Sequence, residues 1–182
     1  MGKFKNTREE FGIISKFLHW FMAFAIIGML IVGFIMADMQ PSSLKWTAYT
    51  LHKSTGVLLI MLLALRLVWR LSNPTPKLTV DGVKGVFARL SVYVLYASMA
   101  TMVVSGFIMS DAGRYTVSFF DLFTFPYVFE KNSELSELAG QVHTNAAFAL
   151  IGFLFLHVLA AFYHHVILKD TVLLRMLPKR RG

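Results

Sequence analysis

Four of the six histidines stand in stretches that are otherwise apolar. His19 lies near the start of the first stretch, His52 opens the second, and His143 and His157 lie 14 residues apart in the last. An imidazole in hydrocarbon is costly unless something binds it, so each is a functional-site candidate. On a helix, 14 residues make about 3.9 turns and roughly 21 Å of rise, which puts His143 and His157 on nearly one face at two depths. One can pair with His52 and the other with His19. Two separated imidazole pairs suit iron held in a flat macrocycle, whereas zinc asks for donors converging on one ion. Cysteine is absent, which removes iron–sulfur clusters, thiolate zinc sites and covalent c-type attachment. The chemistry expected is electron relay at two bis-histidine b haems, because two axial imidazoles close both faces of the iron.

The elements that must hold these residues are membrane helices. Of the 182 residues, 56% are hydrophobic and only 15% charged, well below the quarter usual in soluble domains. Spans are expected at residues 17–37, 52–71, 88–110 and 143–168. Each is long enough to cross hydrocarbon and must be helical, since lipid offers no partner to loose backbone groups. The expected fold class is all-α, an integral membrane four-helix bundle, with residues 1–182 forming one domain. The first stretch reads as a span rather than a signal peptide, because its apolar run is long and no A-x-A-like site follows.

Residues 38–51 read as a short loop and residues 72–87, with two prolines, as a polar turn. Residues 111–142 read as a long interfacial segment over the bundle, aromatic in its middle (YTVSFFDLFTFPYVF), with Ser133 the expected helix cap before Glu134–Glu137.

Charge sets the orientation. The N-terminus, the 72–87 turn with Arg66, Arg70 and Arg89 beside it, and the C-terminus carry 14 Lys/Arg and 4 acids. The two opposite loops, with Lys53, carry 4 Lys/Arg and 6 acids. Both termini are therefore expected in the cytoplasm. The net charge of +8 then reflects topology and anionic lipid rather than nucleic acid. Helices 2 and 4 run inward, so His52 and His143 fall near the periplasmic face and His19 and His157 nearer the cytoplasm.

Direction alone leaves His164 and His165 open as partners of His19, since they too face within about 60° of His143; depth favours His157. His164 and His165 otherwise read as an interfacial pair, or as contacts of a haem propionate or a quinone head group. Arg66 and Arg70, one turn apart, read the same way, or as side chains reaching lipid phosphates. Gly28, Gly33, Gly56, Gly106 and Gly152 are candidate notches for a flat macrocycle, against the plainer reading of close helix packing.

The segments HWFMAF, LHKSTGVLLIMLLALRLVWRLSNPTP, SGFIMS and VHTNAAFALIGFLFLHVLAAFYHHVILKDTVLLRMLP resemble, in order and spacing, the bacterial di-haem cytochrome b561 family. The resemblance covers most of the chain. It implies His19 and His157 on a cytoplasmic-side haem, His52 and His143 on a periplasmic-side haem, and a bacterial inner-membrane, multi-pass location. It also implies electron passage between periplasmic reductants and ubiquinone, with superoxide oxidation to reduce ubiquinone known in one branch. The outer loops sum to −2, whereas an anionic radical is steered by positive charge. Lys45, Lys53, Arg114 and Lys131 are the cations that could gather over the outer haem. Two other readings stay open. One is an electron-transfer subunit docking a dehydrogenase or a periplasmic redox protein through residues 115–129. The other is a haem-free helical transporter or assembly factor.

Overall fold

The computed structural model describes residues 4–77 and 82–177, apart from the side chains of Val83 and Lys84. Four long helices dominate: α1 (Ile13–Asp38), α2 (Ser43–Ser72), α3 (Gly82–Ala112) and α4 (Ser133–Val166). All four are long and apolar enough to cross a membrane. A hairpin of β1 (Ser118–Phe119) and β2 (Phe123–Thr124) sits between α3 and α4, and a 3₁₀ turn at Leu174–Met176 follows α4. The protein is thus an all-α membrane bundle with one small β excursion.

All four helices begin earlier than hydropathy alone indicates, α1 by four residues. The α2 helix starts at Ser43, where the Ser42 side chain accepts from the Lys45 amide. This leaves only residues 39–42 of the expected 38–51 loop outside a helix. Likewise α4 starts at Ser133, ten residues before the expected span, and its cap is Asn132 rather than Ser133. The α3 helix starts at Gly82, inside the expected 72–87 turn, of which residues 78–81 lie outside the described residues. The reason is physical. Hydropathy marks where hydrocarbon begins, whereas a polar cap marks where the helical ladder begins, and the two need not coincide. Residues 111–142 are accordingly not one interfacial segment: the end of α3, a looped hairpin and the first turns of α4 share them.

Packing is uneven. Helix α3 runs closely along α4, and α1–α2 and α2–α3 are also neighbours, but α4 approaches α1 and α2 only sparsely along its backbone. The core is the middle layer: Met22 and Leu30 from α1, Met99 from α3, and Ala147 and Leu150 from α4. Both ends are stitched. At the basic end, the Lys16 and Trp20 side chains donate to the carbonyls of Leu177 and Met176. There too the Lys77 amide donates to Arg8 O and Arg175 to Lys77 O. The N-terminal segment, the start of the α2–α3 connection and the C-terminal segment therefore meet at one end of the bundle.

At the other end the hairpin is latched to α2. Ser54, fully buried, donates to Ser118 O at 2.8 Å and accepts from the Phe120 amide at 3.2 Å. Phe120 and Asp121 turn the hairpin with φ of 48° and 58°, a left-handed conformation unfavourable for side-chain-bearing residues. Asp111, also buried, accepts from the Val128 and Phe129 amides. Replacing Ser54 with Ala leaves the Ser118 carbonyl and Phe120 amide without this partner, at a cost of about 1–3 kcal/mol. Chymotrypsin should then cut the aromatic hairpin several-fold faster than in the wild type. An unchanged cleavage rate would show that the latch does not hold the hairpin.

Candidate functional site

The four histidines, each partly buried, come from three helices. His19 lies two turns into α1, His52 ten residues into α2, and His143 and His157 on α4. Across the gap between α4 and its sparse neighbours, the rings meet in two pairs. His19 and His157 have centroids 6.2 Å apart, and His52 and His143 have centroids 6.4 Å apart. Helix backbones that stay apart while imidazoles reach across the space between them make an unusual interface for a packed bundle.

The pairs fit haem iron. Two imidazoles on opposite sides of one metal, each bonded at about 2 Å, place their ring centroids about 6–6.5 Å apart. Each pair offers two donors, not the four of a structural zinc site. His52 Nδ1 is buried with no hydrogen-bond partner, a costly state for a polar atom that marks a place for a ligand. The glycines divide into two groups. A methyl on Gly28, Gly56 or Gly152 would meet nothing within 4 Å, which leaves room beside the helices for a flat group. Gly33 and Gly106 instead face histidines. A Cβ on Gly106 would lie 2.8 Å from His143 Cε1 and 2.9 Å from its Nδ1, and one on Gly33 would lie 3.4 Å from His52 Cε1. The notch reading therefore divides: Gly106 makes room for the His143 ring, while a Cβ at Gly33 would sit at ordinary contact distance from His52.

The surroundings of the two pairs differ. At the outer pair, His143 Nδ1 lies 2.8 Å from the Met102 carbonyl. The carbonyl can only accept, so Nδ1 carries the proton and Nε2 keeps its lone pair free for a metal. At the inner pair, Arg66 donates to His19 Nδ1 at 2.8 Å. A guanidinium has no acceptor, so here Nδ1 accepts and the ring proton sits on Nε2. A metal held through His19 Nε2 would need the other tautomer, and Arg66 would then need a different acceptor. Arg66 and Arg70 both lie over the Tyr96 ring, at 5.5 and 5.9 Å. They line a small cavity of about 30 Å³ with Asn6, Ser15, Trp69 and Met176. Trp69 donates to Ser15 Oγ there.

His164 pairs with Asp170 at 2.5 Å rather than approaching His19, and His165 is exposed. Of the four outer cations, Lys53 donates to the Thr116 carbonyl and Arg114 stacks over Tyr127 at 4.5 Å. The Tyr127 hydroxyl bonds Thr116 Oγ1 at 3.3 Å, so these two cations share one hub. Lys45 turns away to Met39 O. The Asp170 partner of His164 and the Met102 carbonyl behind His143 were not singled out in the sequence. Asp170 lies six residues past His164 in number, which is a readable signal; Met102 left none, since any residue supplies a carbonyl.

Comparison with known proteins agrees in kind. A family model described as prokaryotic cytochrome b561 matches residues 10–179. "Cytochrome b561 homolog 2" of Escherichia coli (strain K12) is 32% identical over 180 residues, covering 97% of this chain and 95% of its own. "Probable superoxide oxidase CybB" of Yersinia pestis is 28% identical over 184 residues, covering 96% of this chain and 99% of its own.

Gly106 supplies a direct test of the outer pair's packing. Gly106→Ala forces its methyl into the His143 ring, and such overpacking costs about 1–3 kcal/mol. The thermal midpoint in detergent should fall and haem retained per protein should drop. Gly28→Ala, facing open space, should leave the midpoint of haem-free protein unchanged. Equal behaviour of the two variants would refute the contact.

Proposed function

The chain belongs to the prokaryotic cytochrome b561 family, a family of haem-b-binding membrane proteins of transmembrane electron transfer, and from that premise we propose what this member carries and between which partners. It moves electrons through two bis-histidine b haems, from a periplasmic one-electron reductant to ubiquinone, across the bacterial inner membrane. The observation that supports this reading most is the pair of facing imidazole couples, 6.2 and 6.4 Å between centroids, at the two ends of one apolar core.

In this reading His19 and His157 hold the cytoplasmic-side haem, and His52 and His143 the periplasmic-side haem. Bound haem b supplies reversible one-electron chemistry. The chain's own residues do the rest. The imidazole pairs would hold the haem irons and leave no open position for oxygen. The Met102 carbonyl holds the His143 tautomer that coordinates through Nε2. The apolar middle of Met22, Leu30, Met99 and Leu150 keeps water from the layer between the two centres. Arg66 and Arg70 are placed to receive propionate carboxylates at the inner centre, where guanidinium forks bind carboxylate well. His164 and His165 lie at the cytoplasmic end of α4, where a quinone head group would seek hydrogen bonds. The whole chain acts as one domain, with both termini cytoplasmic, as its basic end requires.

Superoxide is the reductant this reading favours. A relative named as a superoxide oxidase matches nearly end to end. Lys53, next to His52, and Arg114 share the Thr116–Tyr127 hub, so positive charge gathers at the outer pair although the outer loops are acidic in sum. A second reading, docking of a redox protein, draws on the hairpin, whose Leu122 is 77% exposed and whose Phe123 is 51% exposed.

Three outcomes are expected. Pyridine haemochrome should give two haems per chain. His157→Ala should keep one. Superoxide generated beside the purified protein should reduce the haems, with ubiquinone reoxidising them. Failure of superoxide to reduce protein that carries both haems would leave the membrane relay and remove superoxide as donor. A colourless, folded preparation would remove the haem reading altogether.

A further inference from the structure

The two histidine pairs have opposite electrostatic neighbours, and this inference, which rests on the di-haem reading above, follows from that contrast. At the inner pair the nearest charged group is the Arg66 guanidinium, in direct contact with the His19 ring. Arg70, one turn along α2, shares the Tyr96 ring with it. Lys16 lies one turn before His19 on α1 and donates to Leu177 O. At the same end His164 pairs with Asp170. Guanidiniums inside a membrane helix are expensive unless an anion or an electron compensates them.

At the outer pair the sign reverses. The His143 ring donates to the Met102 carbonyl, and a donor held by a carbonyl makes an imidazole a more basic ligand. That favours the ferric, more positive iron. The charged groups at this end have partners other than the two rings. Lys53 turns its ammonium to the Thr116 carbonyl, Arg114 stacks on Tyr127, and Asp111 is buried at the end of α3. None of them is hydrogen-bonded to the His52 or His143 ring.

A positive charge that cannot be lost favours whichever redox state carries less positive charge. Guanidinium keeps its proton throughout, and at protein interior dielectrics a unit charge within several ångströms is worth more than a kilocalorie per mole. We infer that Arg66, supported by Arg70, makes the inner centre the electron sink of the pair. An electron shared between the two sites then rests at the cytoplasmic one, next to the quinone side. When haem fills the inner site, Arg66 leaves His19 Nδ1 for a carboxylate acceptor, but its charge stays within that site. Arg66 and Arg70 are positioning residues in the electrostatic sense: they set the inner centre's potential.

The test is a spectroscopic redox titration of purified holoprotein, with His52→Ala and His157→Ala used to assign each component. The wild type should titrate in two steps, the inner centre reducing first. Arg66→Gln should lower the reduced-to-oxidised ratio of the inner centre about tenfold at fixed potential, or about 59 mV for one electron, and leave the outer step in place. Arg66→Lys should restore most of the shift, because it restores charge. Arg70→Gln, which does not touch His19, should give a smaller shift in the same direction, about threefold, and so serves if Arg66→Gln loses haem. An inner centre that reduces second, or one unmoved by both glutamine variants while two haems are present, would overturn the inference and leave the di-haem reading standing. A protein with fewer than two haems would overturn both.

Discussion

An imidazole inside a bilayer must have a partner, and here two pairs of rings face one another across a gap rather than within a packed helix pair. Helix α4 keeps its backbone away from α1 and α2 while His157 and His143 reach toward the rings of His19 and His52. Everything else in the bundle follows from keeping that gap open at a fixed width. The close α3–α4 contact holds α4 in place from its other side. Gly106 lets the His143 ring lie against α3 without a clash. The middle core separates the two ring pairs, so each behaves as its own centre.

The two ends of the bundle are built for different tasks. The basic end is closed by chain crossings: the C-terminal segment bonds to Lys16, Trp20 and, through Arg175, to the connection after α2. The other end carries a hairpin turned by two residues of positive φ and fastened by Ser54, two residues beyond His52. Backbone strain of this kind persists only where the surroundings over-determine it. The Ser54 hydroxyl and the Asp111 carboxylate supply that determination, and together they tie the hairpin's position to the helices that present His52 and His143.

On the di-haem proposal, the contrast between a carbonyl behind His143 and a guanidinium beside His19 would give the bundle a direction that its near-symmetric ligand sets would not. Two pairs of the same side chain, at similar spacing, need not have the same affinity for an electron. Ligand type sets the range of a haem potential, and neighbouring charge and hydrogen bonding set the value within it. Arg66 lies in the apolar reach of α2, where its cost is tolerable only in company with something negative.

What the sequence determined by itself was the class and the cast. Long apolar runs admit only helices in lipid, and histidines at 19, 52, 143 and 157 stand out because they are expensive there. Those features are local, so they can be read along one chain. The true start of α2 was not legible, since Ser42 sets it through a cap and not through hydropathy, whereas the start of α4 was legible to within one residue, in a cap expected at Ser133 and found at Asn132. The hairpin was hidden because its turn residues, Phe120 and Asp121, are not the glycine or asparagine that usually announce such a turn. Depth along the chain already favoured the ring pairs that meet, but tertiary structure alone decided that His164 turns to Asp170, and that a Cβ at Gly106 would strike the His143 ring while one at Gly28, Gly56 or Gly152 would meet open space. It alone brought Arg66 of α2 against His19 of α1. Such contacts join residues tens of positions apart, and the energy that selects them lies in three-dimensional packing and charge, which no spacing along a single chain encodes.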